Sequence, residues 1–337
     1  MSESPLPRGV VTGLGPVVGT QSDEAARLVI GELSELPHIP ELPARGPWAE
    51  SVGRSAALLV DLPLELDVDR WRAAPGVGRD LARARSMLAQ DLDAVEEHWA
   101  GYAGSAKLQV CGPLTLMASI ELRSGDAFVA DPVARDDLAA SLVEGVISHI
   151  AELRRRVPEA TWCVQLDEPR AQTVTRGEVA RPSGWGTVPA VEIQDATTLL
   201  RRAVDAVHGV ECGVVVNTCV LDPEWRVITG SDADGIIVDV GRTDRSAGGA
   251  ARQLEEQLER WWAGGAGLWC AVDPGDGNGV GKLRELSSLV GAAPDAFADR
   301  VVLTPRCGAA VSAAAYAELR ALNERFHQDL NPDLTTD

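Results

Sequence analysis

Short apolar runs alternate along the chain with longer stretches in which apolar residues recur every three or four positions. The runs are VVTGLG (10–15), ALLVDLP (57–63), KLQVCGP (107–113), WCVQLDEP (162–169), GVVVNTC (213–219), GIIVDV (235–240), LWCAVDP (268–274) and VVLTPRC (301–307). Each ends in polar, Gly or Pro residues, and near-continuous apolar strands are expected where both faces of a parallel sheet are covered. Between them, Leu81, Met87, Leu88, Leu92, Val95 and Trp99 recur at helical spacing, with Arg, Asp and Glu on the other face. Asp131-Pro132 predicts an N-cap followed by proline at the first helical position, and Leu138, Leu142 and Ile150 continue that stripe. Ser312 predicts the cap of a last helix carrying Ala315, Leu319, Leu322 and Phe326. Eight strands alternating with helices over 337 residues predict a closed (β/α)8 TIM barrel, a single α/β domain spanning 1–337. An open doubly wound sheet is the alternative. It is disfavoured because Gly13-Leu14-Gly15 is followed by Pro16-Val17-Val18, without the third glycine of a dinucleotide fingerprint. The segment 16–56 is irregular. Its stretch LPHIPELPARGPW (36–48) is too rich in proline for a long helix and predicts a loop over one barrel mouth.

Charge narrows the partners. Lys+Arg total 31 against 50 Asp+Glu, a formal charge of −19. Such a surface repels nucleic acid and anionic membrane, and no basic cluster offsets it. No apolar stretch approaches the ~18 residues that would span a bilayer, and MSESPLPRG lacks the apolar core of a signal peptide. The six cysteines lie in or beside apolar runs, as buried thiols do in a reducing compartment. A cytoplasmic location is the expectation.

In a barrel of this kind the chemistry sits at the C-terminal ends of the strands. Those ends read Asp167-Glu168, Asn217-Thr218-Cys219, Asp239, Asp273 and Arg306-Cys307. Alternation places Asn217 and Cys219 on one face. A single buried cysteine is more often inert packing than a ligand. Two thiols at strand ends near Asp239 nevertheless suit Zn2+, which favours a tetrahedral N/S/O shell. His38 falls in the Pro-rich loop, where a solvated histidine is the plainer reading and a swing toward the metal the sharper one. His98, His149 and His327 read as surface residues of helices, and His208 as a residue favouring a helix C-terminus.

VQLDEP (164–169), the Cys219 region, DADGIIVD (232–239), TPRCG (304–308) and GPLTL (112–116) together resemble the cobalamin-independent methionine synthase family. The likeness is to short, actinobacterial-type forms that keep only the C-terminal catalytic barrel. It implies methyl transfer to a small-molecule thiol, homocysteine, from a methyltetrahydrofolate, with Zn2+ holding the thiolate. By motif match, Cys219, Asp239 and Cys307 are metal ligands. Asn217 stands where the family has histidine, and a carboxamide is a weak zinc ligand. Asp167 matches the residue that holds the substrate amine, Glu168 supports it, and Gly15 belongs to a loop that contacts homocysteine. Several family features are missing. Pro16 replaces a serine, no acidic residue stands near Pro47-Trp48, no tryptophan follows GPLTL, and the general-acid histidine after strand 7 gives way to VDPGDGNG (272–279). Asp273 or Asp276 would take over the proton. A donor with a better leaving group, such as a methyl-corrinoid, would need no acid. Two further readings stay open: a barrel kept as a binding or regulatory protein, and a metal-free decarboxylase. The expected partners are the thiol and the methyl donor, with neither nucleic acid nor membrane, and a homodimer is compatible with the reading.

Overall fold

In the central strands, alternate side chains belong to two different cores. Trp162, Val164 and Leu166 pack outward against helices, whereas Cys163 packs inward with Leu14, Leu36, Val215, Ile237, Trp269 and Val302. That parity is what a parallel sheet curled into a barrel requires. The computed structural model describes residues 6–68, 70–181, 184–218, 223–240 and 249–328, with side chains left undescribed at 249–254.

The chain enters along the barrel and then forms α1 (Ser22–Glu32), α2 (Ser51–Leu58), an antiparallel hairpin of β1 (Leu64–Asp67) and β2 (Arg70–Ala73), and α3 (Arg79–His98). The regular α/β alternation follows: β3 (Ser105–Cys111), α4 (Pro113–Ser119), α5 (Pro132–Arg156), β4 (Thr161–Asp167), α6 (Ala171–Thr175), α7 (Ile193–His208), β5 (Gly213–Asn217), α8 (Trp225–Gly230) and β6 (Gly235–Asp239). The chain ends with α9 (Gly249–Ala263), β7 (Gly267–Val272), α10 (Gly279–Leu289), α11 (Pro294–Ala298), β8 (Val302–Pro305) and α12 (Ala313–Gln328). Strands β3 to β8 form one parallel sheet in chain order. Two extended N-terminal segments continue it. Val11 bridges Leu303 on β8, Pro16 bridges Glu41, and His38 bridges Lys107 on β3. These two staves and the six strands make a (β/α)8-type barrel, as the sequence predicts.

The second stave is not the predicted one. ALLVDLP (57–63) is no strand: its first residues close α2, and Ala57 and Leu59 are buried there. A short apolar run carries the same signal whether it ends a helix or fills a strand. The stave comes instead from the Pro-rich stretch. Pro37 and Pro40 lack N–H groups and cannot support a continuous ladder. Ile39 N–H donates to the Lys107 carbonyl at 2.9 Å and Glu41 N–H to the Gly15 carbonyl at 2.9 Å, which suffices to hold the segment in the wall. Its following residues do reach the barrel mouth.

The predicted helices are present. Leu81, Leu88, Leu92 and Val95 are buried along α3. Asp131 caps α5 by accepting from Val133 and Ala134 N–H at 2.8 and 3.1 Å. Ser312 Oγ accepts from Ala315 N–H at 3.4 Å at the start of α12. His149 departs from its surface expectation. It is buried on α5, and burial, with the Arg54 charge adding to it, lowers its pKa to about 4. No described helix is long and apolar enough to cross a membrane.

Candidate active site

The inward positions of the barrel become polar toward the strand C-termini. Lys107 and Gln109 on β3, Gln165 and Asp167 on β4, and Asn217 on β5 share the inward parity of Cys163 and Val215. A chain of hydrogen bonds connects them. The buried Lys107 Nζ donates to Gln165 Oε1 at 2.7 Å, so the Gln165 amide turns its Nε2 the other way. That Nε2 donates to Asp167 Oδ1 at 2.7 Å and to the Leu14 carbonyl at 3.1 Å. Asn217 Nδ2 donates to the same Asp167 Oδ1 at 2.8 Å. Burial pushes the Asp167 carboxyl up, with the nearby Glu41 charge adding to it, while the Gln165 and Asn217 donors and the Lys107 charge oppose the shift. Burial lowers the Lys107 pKa, and Asp167 opposes that change.

Above this network lies a cavity of about 280 Å3 at the C-terminal mouth. Glu41, Cys111, Asp167, Asn217, Arg306 and Cys307 contribute to its wall. A second cavity of about 530 Å3 adjoins it, lined in part by Arg70, Trp71, Glu121 and Arg181. Val52, Ser119 and Arg170 line both. Arg170 is steadied by a 2.8 Å bond from Nη1 to the Ala118 carbonyl.

The sequence-predicted residues separate in space. Asp167, Asn217 and Cys307 come together on the inner cavity, where Cys307 Sγ lies 3.5 Å from Asn217 Oδ1. Cys307 is disulfide-bonded, while Cys111, Cys163, Cys212 and Cys270 are buried free thiols. Cys219 lies outside the described residues. Asp239 receives the Arg306 guanidinium, with Nε and Nη2 both 3.1 Å from Oδ2. Glu168 is turned away from the cavity. Its carboxylate accepts from Leu114 N–H at 2.9 Å, Thr115 N–H at 2.8 Å and Thr115 Oγ1 at 2.8 Å, so it secures the start of α4. Burial pushes this carboxyl up to about 7 against those donors. Gly15 adopts φ +129°, and a Cβ there would lie 2.8 Å from Gln109 Nε2. Asp273 and Asp276 do not line either cavity. Asp273 accepts from Gly275 N–H at 3.1 Å, and Asp276 pairs with Lys282 at 2.5 Å.

His38 is fully buried rather than solvated. Its Nδ1 faces the Ile39 carbonyl at 3.1 Å and its Nε2 faces the Tyr316 hydroxyl at 2.8 Å. Sequence reasoning did not single out Glu41, Lys107 or Gln109, and it gave Arg306, at the end of a predicted strand, no role. Polar residues inside predicted apolar runs (KLQVC, VQLD) were the available signal for the core network.

The fold and this mouth define an α/β barrel with two adjoining cavities at the end where barrel enzymes carry their chemistry. No protein-family model matches the sequence, and no curated protein matches it. Among solved structures, the chain is similar to a B12-independent methionine synthase from Shewanella sp. W3-18-1 in complex with selenomethionine. The identity is 13% and the TM-score 0.57, with 97% of this chain and 99% of that chain covered. It is more distantly similar to a D-allulose 3-epimerase from Methylomonas sp. (8% identity, TM-score 0.43, 97% and 98% covered). A GH26 domain from a Prevotella bryantii endo-beta-mannanase/endo-beta-glucanase gives 10% identity and a TM-score of 0.45, with 94% and 90% covered. The first likeness establishes the barrel fold; nothing rests on the other two.

Proposed function

We propose that this protein is a methyltransferase-like barrel that acts on a small thiol, with homocysteine as acceptor and a methyltetrahydrofolate as donor. The observation that carries the reading is the pair of adjoining cavities sharing the Val52–Ser119–Arg170 wall. A group transfer needs two ligands side by side, and proximity supplies much of the rate. The inner cavity suits an amino-acid thiol, because a buried carboxylate facing an ammonium makes a strong charge-assisted hydrogen bond. In the reaction the thiol loses its proton, an S–C bond forms as the donor's N–C bond breaks, and the released nitrogen takes up a proton. Asp273 and Asp276, proposed from sequence for that proton, would have to approach from outside both cavities.

Zinc enters through the resemblance, with Cys219, Asp239 and Cys307 as ligands and Asn217 Oδ1 beside Cys307. In this conformation the described donors do not fit an ion: Cys307 is disulfide-bonded and Asp239 is neutralised by Arg306. The zinc reading therefore requires a reduced Cys307 and a displaced Arg306. The same engagement of Cys307 and Asp239 favours a second reading, a metal-free binding barrel.

The test uses the full chain under reductant with zinc supplied. Zinc per chain, L-homocysteine binding by calorimetry, and methionine formation from methyltetrahydrofolate or methylcobalamin are measured together. Methionine formation with near-stoichiometric zinc supports the transferase reading, and the effective donor identifies the co-substrate. Homocysteine binding without zinc or turnover supports the binding barrel. Absence of both binding and turnover overturns both readings.

A further inference from the structure

Three side chains able to bind a metal meet where α1 packs on the end of α3, and none of them lines either cavity. Asp23 lies in the first turn of α1, and Glu97 and His98 are the last two residues of α3. One donor atom from each lies within 4.8 Å of the other two. His98, expected on the surface, has a side chain only 12% exposed, and its Nε2 is sealed from solvent without a hydrogen-bond partner. A ring nitrogen left in that state calls for an explanation, and a bound ion is one of the few that exist. Asp23 Oδ1 stands 3.4 Å from this nitrogen, outside hydrogen-bonding geometry. That separation suits two ligands of one small ion, because donors 2.0–2.1 Å from a tetrahedral Zn2+ lie about 3.4 Å apart.

The surroundings hold this geometry and leave its charge uncompensated. Ser22 Oγ donates to Asp91 Oδ1 at 2.7 Å, and Trp99 Nε1 donates to the Ala26 carbonyl at 3.1 Å. These two bonds fix the helices against each other beside Asp23 and His98. The neighbouring acids Asp93 and Glu96 are both taken by Arg156 on α5, each at 2.7 Å. Asp23 and Glu97 form no salt bridge with a lysine or arginine among the described residues. A neutral imidazole beside two ionised carboxylates leaves two negative charges for a divalent cation to cancel. Glu97 is exposed, and rotation about its stem lets its carboxylate close on the other two donors. One nitrogen and two carboxylate oxygens, with water completing the shell, suit Zn2+, whereas Mg2+ and Ca2+ favour oxygen alone.

We propose that Asp23, Glu97 and His98 form a structural divalent-cation site, with Zn2+ as the favoured ion, that ties α1 to the end of α3. The site is separate from the rim ligands that the family resemblance implies, and it stands whether or not the barrel is a transferase.

The test uses the full chain, stripped of metal with a chelator, and zinc chloride as the probe. Cys307→Ser provides the background, because it removes a rim ligand and so weakens any zinc bound there. On that background Asp23→Asn, Glu97→Gln and His98→Gln are compared by calorimetry, by urea midpoint and by imidazole NMR. With five histidines in the chain, the His98 signals are those missing from His98→Gln. Zinc should raise the midpoint of the background protein and move its His98 signals. Each of the three variants should bind zinc at least about tenfold more weakly, a loss that even changes outside the ligand shell can produce. The rise in midpoint should disappear with the binding, since an ion that binds only the folded chain stabilises it by mass action. Asp23 and Glu97 are exposed, so their isosteric amides should leave the metal-free midpoint close to that of the background protein. Zinc that binds the variants as tightly as the background, or that leaves the His98 signals in place, would overturn the proposal. So would variants that lower the metal-free midpoint while zinc has no effect on the background protein, the outcome for a plain His98–Asp23 ion pair.

Discussion

Acidification should destabilise this protein through His38, and the structure sets the size of the effect. Nδ1–H donates to the Ile39 carbonyl, which leaves Nε2 as an acceptor for the Tyr316 hydroxyl. Both nitrogens are satisfied by the neutral ring, and protonation would place two donors, the ring N–H and the hydroxyl, face to face. Burial, with the Lys107 charge next, lowers the His38 pKa from 6.5 to about 3. The unfolded chain binds a proton below pH 6.5 and the folded chain does not. The neutral histidine's contribution is therefore complete above the unfolded pKa and is lost as pH falls from 6.5 toward 3. At pH 5 the unfolded group lies about 1.5 units above the pH, and at 1.36 kcal/mol per unit the loss is about 2 kcal/mol. For a chain of 337 residues, that corresponds to a fall of about 3 °C in Tm. The assay compares wild type with His38→Gln, whose amide oxygen can still accept from Tyr316 but does not titrate. Tryptophan fluorescence, with nine indoles to report, follows unfolding in urea at pH 7, 6 and 5. Glu41, Asp167 and Glu168, whose carboxyls burial pushes up, contribute the opposite slope in both proteins and cancel in the difference. Identical pH slopes for wild type and His38→Gln would refute the reasoning.

Other outcomes follow from packing and charge. Gly53→Ala and Gly145→Ala should each cost about 1–3 kcal/mol by urea midpoint, as overpacking does, because the new Cβ would lie 2.0 Å from the Pro47 carbonyl oxygen or 2.1 Å from that of Leu58. Asp131→Ala should cost about 1 kcal/mol by removing the α5 cap while leaving calorimetric ligand affinity unchanged. Under reductant, Arg306→Met should raise zinc affinity about tenfold or more in competition with a chelator, since it removes a cation from Asp239; unchanged affinity would exclude Asp239 as a ligand.

The sequence by itself determined the class of fold and much of the rim. Apolar runs 107–113, 162–169, 213–219, 235–240, 268–274 and 301–307 each overlap a strand of the sheet, because a strand buried on both faces must be apolar along most of its length. It also carried Asp167, Asn217 and Cys307 to one cavity, since the C-terminal end of every parallel strand opens on the same side. Only the tertiary structure decided the second stave, where two N–H groups between prolines suffice once neighbouring strands offer carbonyls. It alone showed that Glu168 holds a helix, that His38 is sealed against Tyr316, and that Arg306 occupies Asp239. Each of these depends on which partner lies within about 3 Å across a long sequence separation, the distance at which a hydrogen bond forms. Periodicity reports the face on which a side chain lies, not the group it will meet there.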